Sequence, residues 1–394
     1  MLAPTPSGGP PARFLDRVLA LWLAGIALRV TILAVPPVIP LIRSEFGMSE
    51  TQVGILTGLP PVLFALSAVL ASLLIARLGA LTTVVAGILV TAAGSALRGL
   101  APDVALLYAA TIVTGFGVAI MQPSLPPLVR AWLPDRIGFG TAVYTNGLLV
   151  GEIIPVALTI TVLLPLLAGS WRWSFVVWAV PVALIGGVIA AIAPKNVVYG
   201  GKTSTGRWWP DWRDPLIWRL GFILGAANAM YFSANAFLPD YLHYVGRPDL
   251  VSAALTALNL GQLPGSFLLL AVAGRLERRV WPYVASGVVS LLGIGGIMLG
   301  GVWIVASAAV LGFAAAFTLI LALALPPLLS PSDDVHRVTA AMFTISYSTA
   351  VLTPVISGLA WDLTGIAQAA FVPLALCAVM LIALAPSVAF ERRG

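Results

Sequence analysis

VLALWLAGIALRVTILAVPPVIPLI, residues 18–42, carries a single charge, Arg29, with Arg17 twelve residues before it and Arg43 fourteen after. On a helix rising about 1.5 Å per residue, those flanking arginines stand roughly 18 and 21 Å from Arg29, which places it near the midplane of a bilayer. An unpaired guanidinium at that depth costs at least about 2.5 kcal/mol on insertion scales. A chain that retains one has a use for it, and the fork of N–H donors on arginine suits an anion.

The rest of the chain resembles this run. Of 394 residues, 60% are hydrophobic and 9% charged, with a mean hydropathy of +1.02, against about a quarter charged in globular proteins. This composition describes an all-α polytopic membrane protein whose solvent is the lipid bilayer. Residues 1–12 are Pro/Gly-rich and the first apolar run is long enough to span, so no cleavable signal is expected. The one cysteine, Cys377, excludes an internal disulfide and a thiolate metal site. Breaks at charged or turn-rich segments give twelve spans, near 17–39, 50–76, 81–100, 103–132, 137–165, 173–194, 215–243, 249–273, 280–302, 303–329, 335–361 and 366–389. With both termini cytoplasmic, 16 of the 21 Lys/Arg fall on that side, and besides Arg29 only Arg43, Arg98, Arg172 and Arg247 do not. That asymmetry obeys the positive-inside rule, so the net charge of +6 orients the chain and calls for no nucleic-acid partner.

The polar stretch around residues 195–214 divides the spans six and six. It reads as a cytoplasmic linker between bundles at 1–194 and 215–394, with Trp208, Trp209 and Trp212 at headgroup level. The halves repeat at an offset near 200 residues. Leu125–Leu128 (LPPL) matches Leu325–Leu328 (LPPL), Arg136 matches Arg337, and the Pro40/Gly47 pair matches Pro239/Gly246. A duplicated six-helix unit predicts two pseudo-symmetric bundles with a site at the midplane between them.

Four stretches carry a family resemblance: GILTGLPPVLFA (54–65), PSLPPLVRAWLPDRIGFGTAVYT (123–145), GSWRWSFVVWA (169–179) and AAMFTISYSTAVLTPVISGLAWDLTG (340–365). The chain resembles the cyanate permease and nitroimidazole transporter branch of the major facilitator superfamily. The resemblance implies a twelve-helix major facilitator fold, movement of a small anion or a small polar aromatic compound, no enzymatic activity and no cofactor. The superfamily's signature turn between helices 2 and 3 is degenerate here, keeping Arg77 and Gly79 but with Ala76 in place of an aspartate, whereas Gly274–Arg279 (GRLERR) in the second half retains more charge. Arg77, Arg136, Arg275 and Arg337 are the candidate gating contacts at the cytoplasmic face.

Two ionisable residues lie deep in spans, Arg29 and Glu152. Glu152 has three readings: a charge partner of Arg29 until substrate displaces it, a proton carrier for coupling, or a protonated structural donor. The 199-residue offset of the Pro40/Pro239 match carries Arg29 onto Asn228, and Tyr231, Phe232 and Asn235 share a helix face with it. Asn228, Tyr231 and Tyr347 are therefore expected to contact substrate from the second half, with Tyr144 and Gln122 from the first. Interhelical hydrogen bonds are the competing use for each of these side chains.

No G-x-x-x-x-G-K-[ST] loop is present, which argues against ATP-driven transport, and His243 and His336 fall at opposite faces, which argues against a metal site. The expectation is a monomeric secondary transporter of the bacterial-type inner membrane, moving a cyanate-, nitrate- or carboxylate-like anion by alternating access, with protons as the candidate coupling ion. The rivals are proton-driven export of a neutral or nitro-aromatic compound and, in another class, an anion channel or a non-transporting sensor.

Overall fold

The computed structural model describes residues 14–194, 207–301 and 303–389, so most of the expected linker, 195–206, lies outside the described residues. Among them every regular element is helical. The spans are α1 Phe14–Phe46, α2 Gln52–Leu78, α3 Ala80–Gly99, α4 Val104–Trp132, α5 Pro134–Leu166, α6 Trp171–Ile192, α7 Pro215–Tyr244, α8 Pro248–Leu276, α9 Val280–Leu299, α10 Trp303–Leu329, α11 Val335–Thr364 and α12 Ala367–Ser387. Eleven are long and apolar enough to cross a membrane. The exception, α7, has the length at 30 residues but carries Arg219, Asn228, Asn235 and Asp240.

Several ends are set locally. Ser49 and Gln52 form a reciprocal capping box at the start of α2, and α11 stops where Gly365 turns left-handed at φ 69°. Proline shapes the interiors. Pro155 in α5 withholds a backbone donor, and the helix widens to a π-turn over Thr159–Leu163. In α1, regular helix is interrupted at Leu28 and Arg29, where the Arg29 N–H bonds the Ile26 carbonyl at 3.1 Å, and again at Pro36–Val38. Arg29 therefore sits at a break in α1 rather than inside a continuous helix.

The repeat read from the sequence is visible in the packing. In the first six helices α1 packs on α5, and α3 on α4 and α6; in the last six α7 packs on α11, and α9 on α10 and α12. The two sets meet through the matching contacts α2 on α11 and α8 on α5. Exposed leucines such as Leu66, Leu184, Leu292 and Leu363 face outward, where lipid replaces water.

The face where the described residues begin at Phe14 and end at Ala389, the termini face, carries several polar contacts. Arg17 donates to the Trp132 carbonyl at 3.0 Å. Arg130 of α4 reaches across to the carbonyls of Pro327 and Ser330 at the end of α10, the second at 2.7 Å. The segment before α7 straps both sets, its Trp208 carbonyl accepting from Ser72 of α2 at 2.6 Å and its Trp209 carbonyl from Arg337 of α11 at 2.9 Å. Of the expected gating arginines, Arg337 makes such a contact and Arg136 lies over the Phe14 ring at 5.4 Å, while Arg77 and Arg275 are exposed. Arg130 ties the two halves directly. At the far face three of the exceptions to charge asymmetry are placed as follows: Arg172 pairs with Glu45 at 2.7 Å, Arg247 pairs with Asp249 at 3.0 Å, and Arg98 is buried.

Candidate substrate site

The break in α1 turns Arg29 toward α5, where its Nε stands 3.1 Å from Glu152 Oε1. Nε makes no aligned hydrogen bond, so the contact is an ion pair held by proximity rather than by donor geometry. The guanidinium also lies 5.8 Å from the centre of the Phe64 ring, near the hydroxyls of Tyr347 and Tyr231. The first reading of Glu152, as a charge partner of Arg29, requires this proximity.

The pair lines a cavity of about 170 Å³ whose wall comes from α1, α2, α3, α4, α5 and α7, including Pro60, Pro61, Phe64, Arg98, Thr111, Tyr231 and Phe232. Through Leu33, Pro36, Thr57, Glu152, Tyr231 and Phe232 this cavity continues into a second of about 810 Å³ between α5 and α8. The second is lined by Ile153, Val156 and Ala157 on one side and Leu255, Thr256, Asn259 and Leu260 on the other. All lie in the half of their helix remote from the termini face. Helices α5 and α8 touch where Asn146 Nδ2 donates to Ser266 Oγ at 3.1 Å and part beyond it, so the cavity widens toward the far face.

Directly beside Arg29 the floor is closed between halves. The Tyr347 hydroxyl donates to Gln122 Oε1 at 3.0 Å, and the Phe64 ring meets the Tyr347 ring edge-on with centres 5.0 Å apart. On the second-half wall, Tyr231 donates to Asn259 Oδ1 at 2.5 Å and Asn259 Nδ2 donates to Asn235 Oδ1 at 3.1 Å. This chain orients the Tyr231 phenol at the cavity edge.

Of the expected site residues, Arg29, Glu152 and Tyr231 line the inner cavity, and Gln122 and Tyr347 form the floor beneath it. Asn228 and Tyr144 are not in either wall. Asn228 is bonded to Ser346 of α11 at 2.9 Å, the interhelical hydrogen bond foreseen as its competing use, whereas Tyr144 is buried with its backbone oxygen packed on Gly25 and its hydroxyl without a hydrogen-bond partner among the described residues. Arg98 and the Phe64 ring line the inner cavity without having been singled out; an arginine near the end of a span reads from sequence as an ordinary headgroup anchor. A separate groove of about 700 Å³ near the termini face, between Leu78, Leu89, Trp132 and Pro194, is lined by no ionisable side chain among the described residues.

Residues 21–354 match the sequence profile of the Major Facilitator Superfamily. The chain belongs to that superfamily. It is a multi-pass membrane transporter and not an enzyme. Within the superfamily it is similar to the cyanate transport protein CynX of Escherichia coli K12, at 29% identity over 93% of this chain and 96% of that protein. It is also similar to the 2-nitroimidazole transporter of the same organism, at 27% over 61% of each chain. Both fall in the branch that the sequence resembles. In three dimensions a crystal structure of the E. coli fucose:proton symporter FucP superposes with a TM-score of 0.77 over 96% of this chain and 98% of that one; at 13% identity this likeness speaks to the fold.

Proposed function

We propose that this chain is a secondary transporter carrying a small organic or inorganic anion, cyanate-, nitrate- or carboxylate-like, across the cytoplasmic membrane by alternating access. The observation that carries the reading is the Arg29–Glu152 pair at the inner end of a cavity between the two halves. A carboxylate resting 3.1 Å from the guanidinium does what a bound anion would do, and a free anion of similar shape can displace it. The relative whose name specifies cyanate supports the same class of solute. Glu152 is also the residue proposed to carry a coupling proton. The two halves, 1–194 and 215–394, would rock about the Arg29 level, breaking the Arg130 and Tyr347 contacts as the far side closes. With the Lys/Arg-rich termini face cytoplasmic, the cavity opens outward. The working unit is taken as a monomer.

A second reading draws on the apolar and aromatic wall formed by Pro60, Pro61, Phe64 and Phe232, and on the 2-nitroimidazole relative. It is proton-driven export of a small neutral aromatic, with Arg29 already neutralised by Glu152. Thermal stabilisation of purified wild type and Arg29→Gln by cyanate, nitrate, formate and 2-nitroimidazole separates the two. A ligand at a hundred times its Kd adds about 2.7 kcal/mol. An anion that stabilises wild type and not the variant supports the anion reading; stabilisation of both proteins by the nitro-aromatic alone replaces it with the exporter.

A further inference from the structure

We infer that Arg98 is a second binding arm for the transported anion, and that the site is matched to an anion carrying a single charge. Arg98 has this role only if the cavity is an anion site, the reading proposed above. It stands at the far end of α3 with 0% of its surface exposed. Its Nε donates to Thr111 Oγ1 at 3.1 Å, its Nη1 to the Thr31 carbonyl at 2.8 Å, and the guanidinium lies 5.7 Å from the centre of the Phe175 ring. These neutral partners fix the plane of the guanidinium without discharging it. No carboxylate faces it among the described residues, and Nη2 is buried with no hydrogen-bond partner. Arg98 and Thr111 line the same cavity of about 170 Å³ as Arg29 and Glu152.

The charges around that cavity decide what fits. Arg29 and Arg98 contribute +2 and Glu152 contributes −1, leaving +1 in a low-dielectric enclosure. One negative charge brings the site to neutrality, whereas a dianion leaves an uncompensated −1 whose desolvation is costly. Because Arg29 is already neutralised, the net attraction of the resting site comes from Arg98. Within the inner cavity a bound anion would bridge from Arg98 to Arg29 as Glu152 gives way.

The test titrates purified full-length protein with nitrate and formate, singly charged, and with sulfate and oxalate, doubly charged. Kd is read by calorimetry and thermal stabilisation in wild type, Arg98→Gln, Arg98→Lys and Glu152→Gln. Wild type should prefer nitrate or formate over sulfate and oxalate. Arg98→Gln should weaken the singly charged anions by about tenfold or more, with partial recovery in Arg98→Lys. Glu152→Gln, which raises the site to +2, should shift the preference toward the doubly charged pair. Wild-type affinity in Arg98→Gln overturns the role of Arg98, and a wild type that prefers sulfate or oxalate overturns the charge match. Should Arg98→Gln fail to fold, Thr111→Val releases one edge of the guanidinium while leaving its charge; a fall in affinity is expected, and an unchanged Kd overturns the inference. A wild type that binds none of the four anions defeats the anion reading and this inference together, whereas Arg98→Gln that binds like wild type defeats this inference alone.

Discussion

Replacing Glu152 with glutamine preserves side-chain volume and removes the carboxylate that occupies the place proposed for the anion. Arg29 and Glu152 are 11% and 18% exposed and 3.1 Å apart. Removing one partner of a buried pair costs about 3–5 kcal/mol, because the remaining charge is left uncompensated. The lower end applies, since Nε makes no aligned hydrogen bond and the guanidinium borders an open cavity. The variant without ligand should therefore lose about 3 kcal/mol of stability, seen as a lower thermal unfolding midpoint in detergent. Most of this should return on adding nitrate or formate, because saturation to a hundred times Kd contributes about 2.7 kcal/mol. The variant should also bind the anion more tightly than wild type, in which the anion must first displace an internal competitor. Thermal scans across an anion titration read both quantities. Unchanged stability in the absence of anion, or a deficit that no anion restores, would refute the reasoning.

Arg29→Lys keeps the charge but loses the fork, so anion affinity should fall about tenfold by titration calorimetry, and an unchanged Kd would remove the bidentate role. Gly147→Ala would place a Cβ against the Trp22 carbonyl oxygen where α5 crosses α1. Backbone cannot rotate aside, so a loss of about 1–3 kcal/mol, toward the upper end, is expected in thermal unfolding. Glu277, in the turn between α8 and α9, packs against Gly138 with Oε2 unpartnered, and burial pushes its carboxyl up from 4.5 to about 7, opposed by nearby Arg278. An acid whose pKa is higher in the folded state than in the unfolded one is unpenalised below both values. Its penalty grows as pH rises from about 4.5 to about 7 and is complete above that. Stability of this closed form should accordingly decline across that window in wild type, and Glu277→Gln should flatten that part of the profile.

Legibility of the site followed from how unusual each residue is in its local context. Arg29 and Glu152 stood out because a charge inside an apolar run has few uses, and Tyr231 because it shares a face with Phe232 and Asn235. Asn228 and Tyr144 were chosen on residue type, but a helix–helix hydrogen bond or buried packing uses the same types as a substrate contact. Only the partner tells them apart: Asn228 bonds Ser346, while the buried Tyr144 hydroxyl has no hydrogen-bond partner among the described residues. Arg98 was hidden for the opposite reason. At the end of α3 an arginine is ordinary, and nothing along the chain announces that Thr31, Thr111 and Phe175 enclose it.

By itself the sequence determined the solvent, the number of spans, the six-and-six repeat, the asymmetry of positive charge and the presence of one arginine at membrane depth. Hydropathy, charge and internal repetition are properties of segments and can be summed along the chain. Tertiary structure alone decided that α1, α3 and α5 bring Arg29, Arg98 and Glu152 to one cavity, that Arg130 rather than Arg77 or Arg275 ties the halves together, and that the cavity lies in the half of the bundle remote from the Arg130 contacts. Those outcomes depend on where α1 breaks and on which close-packed helices touch, and the interactions that set them act between residues far apart in the chain.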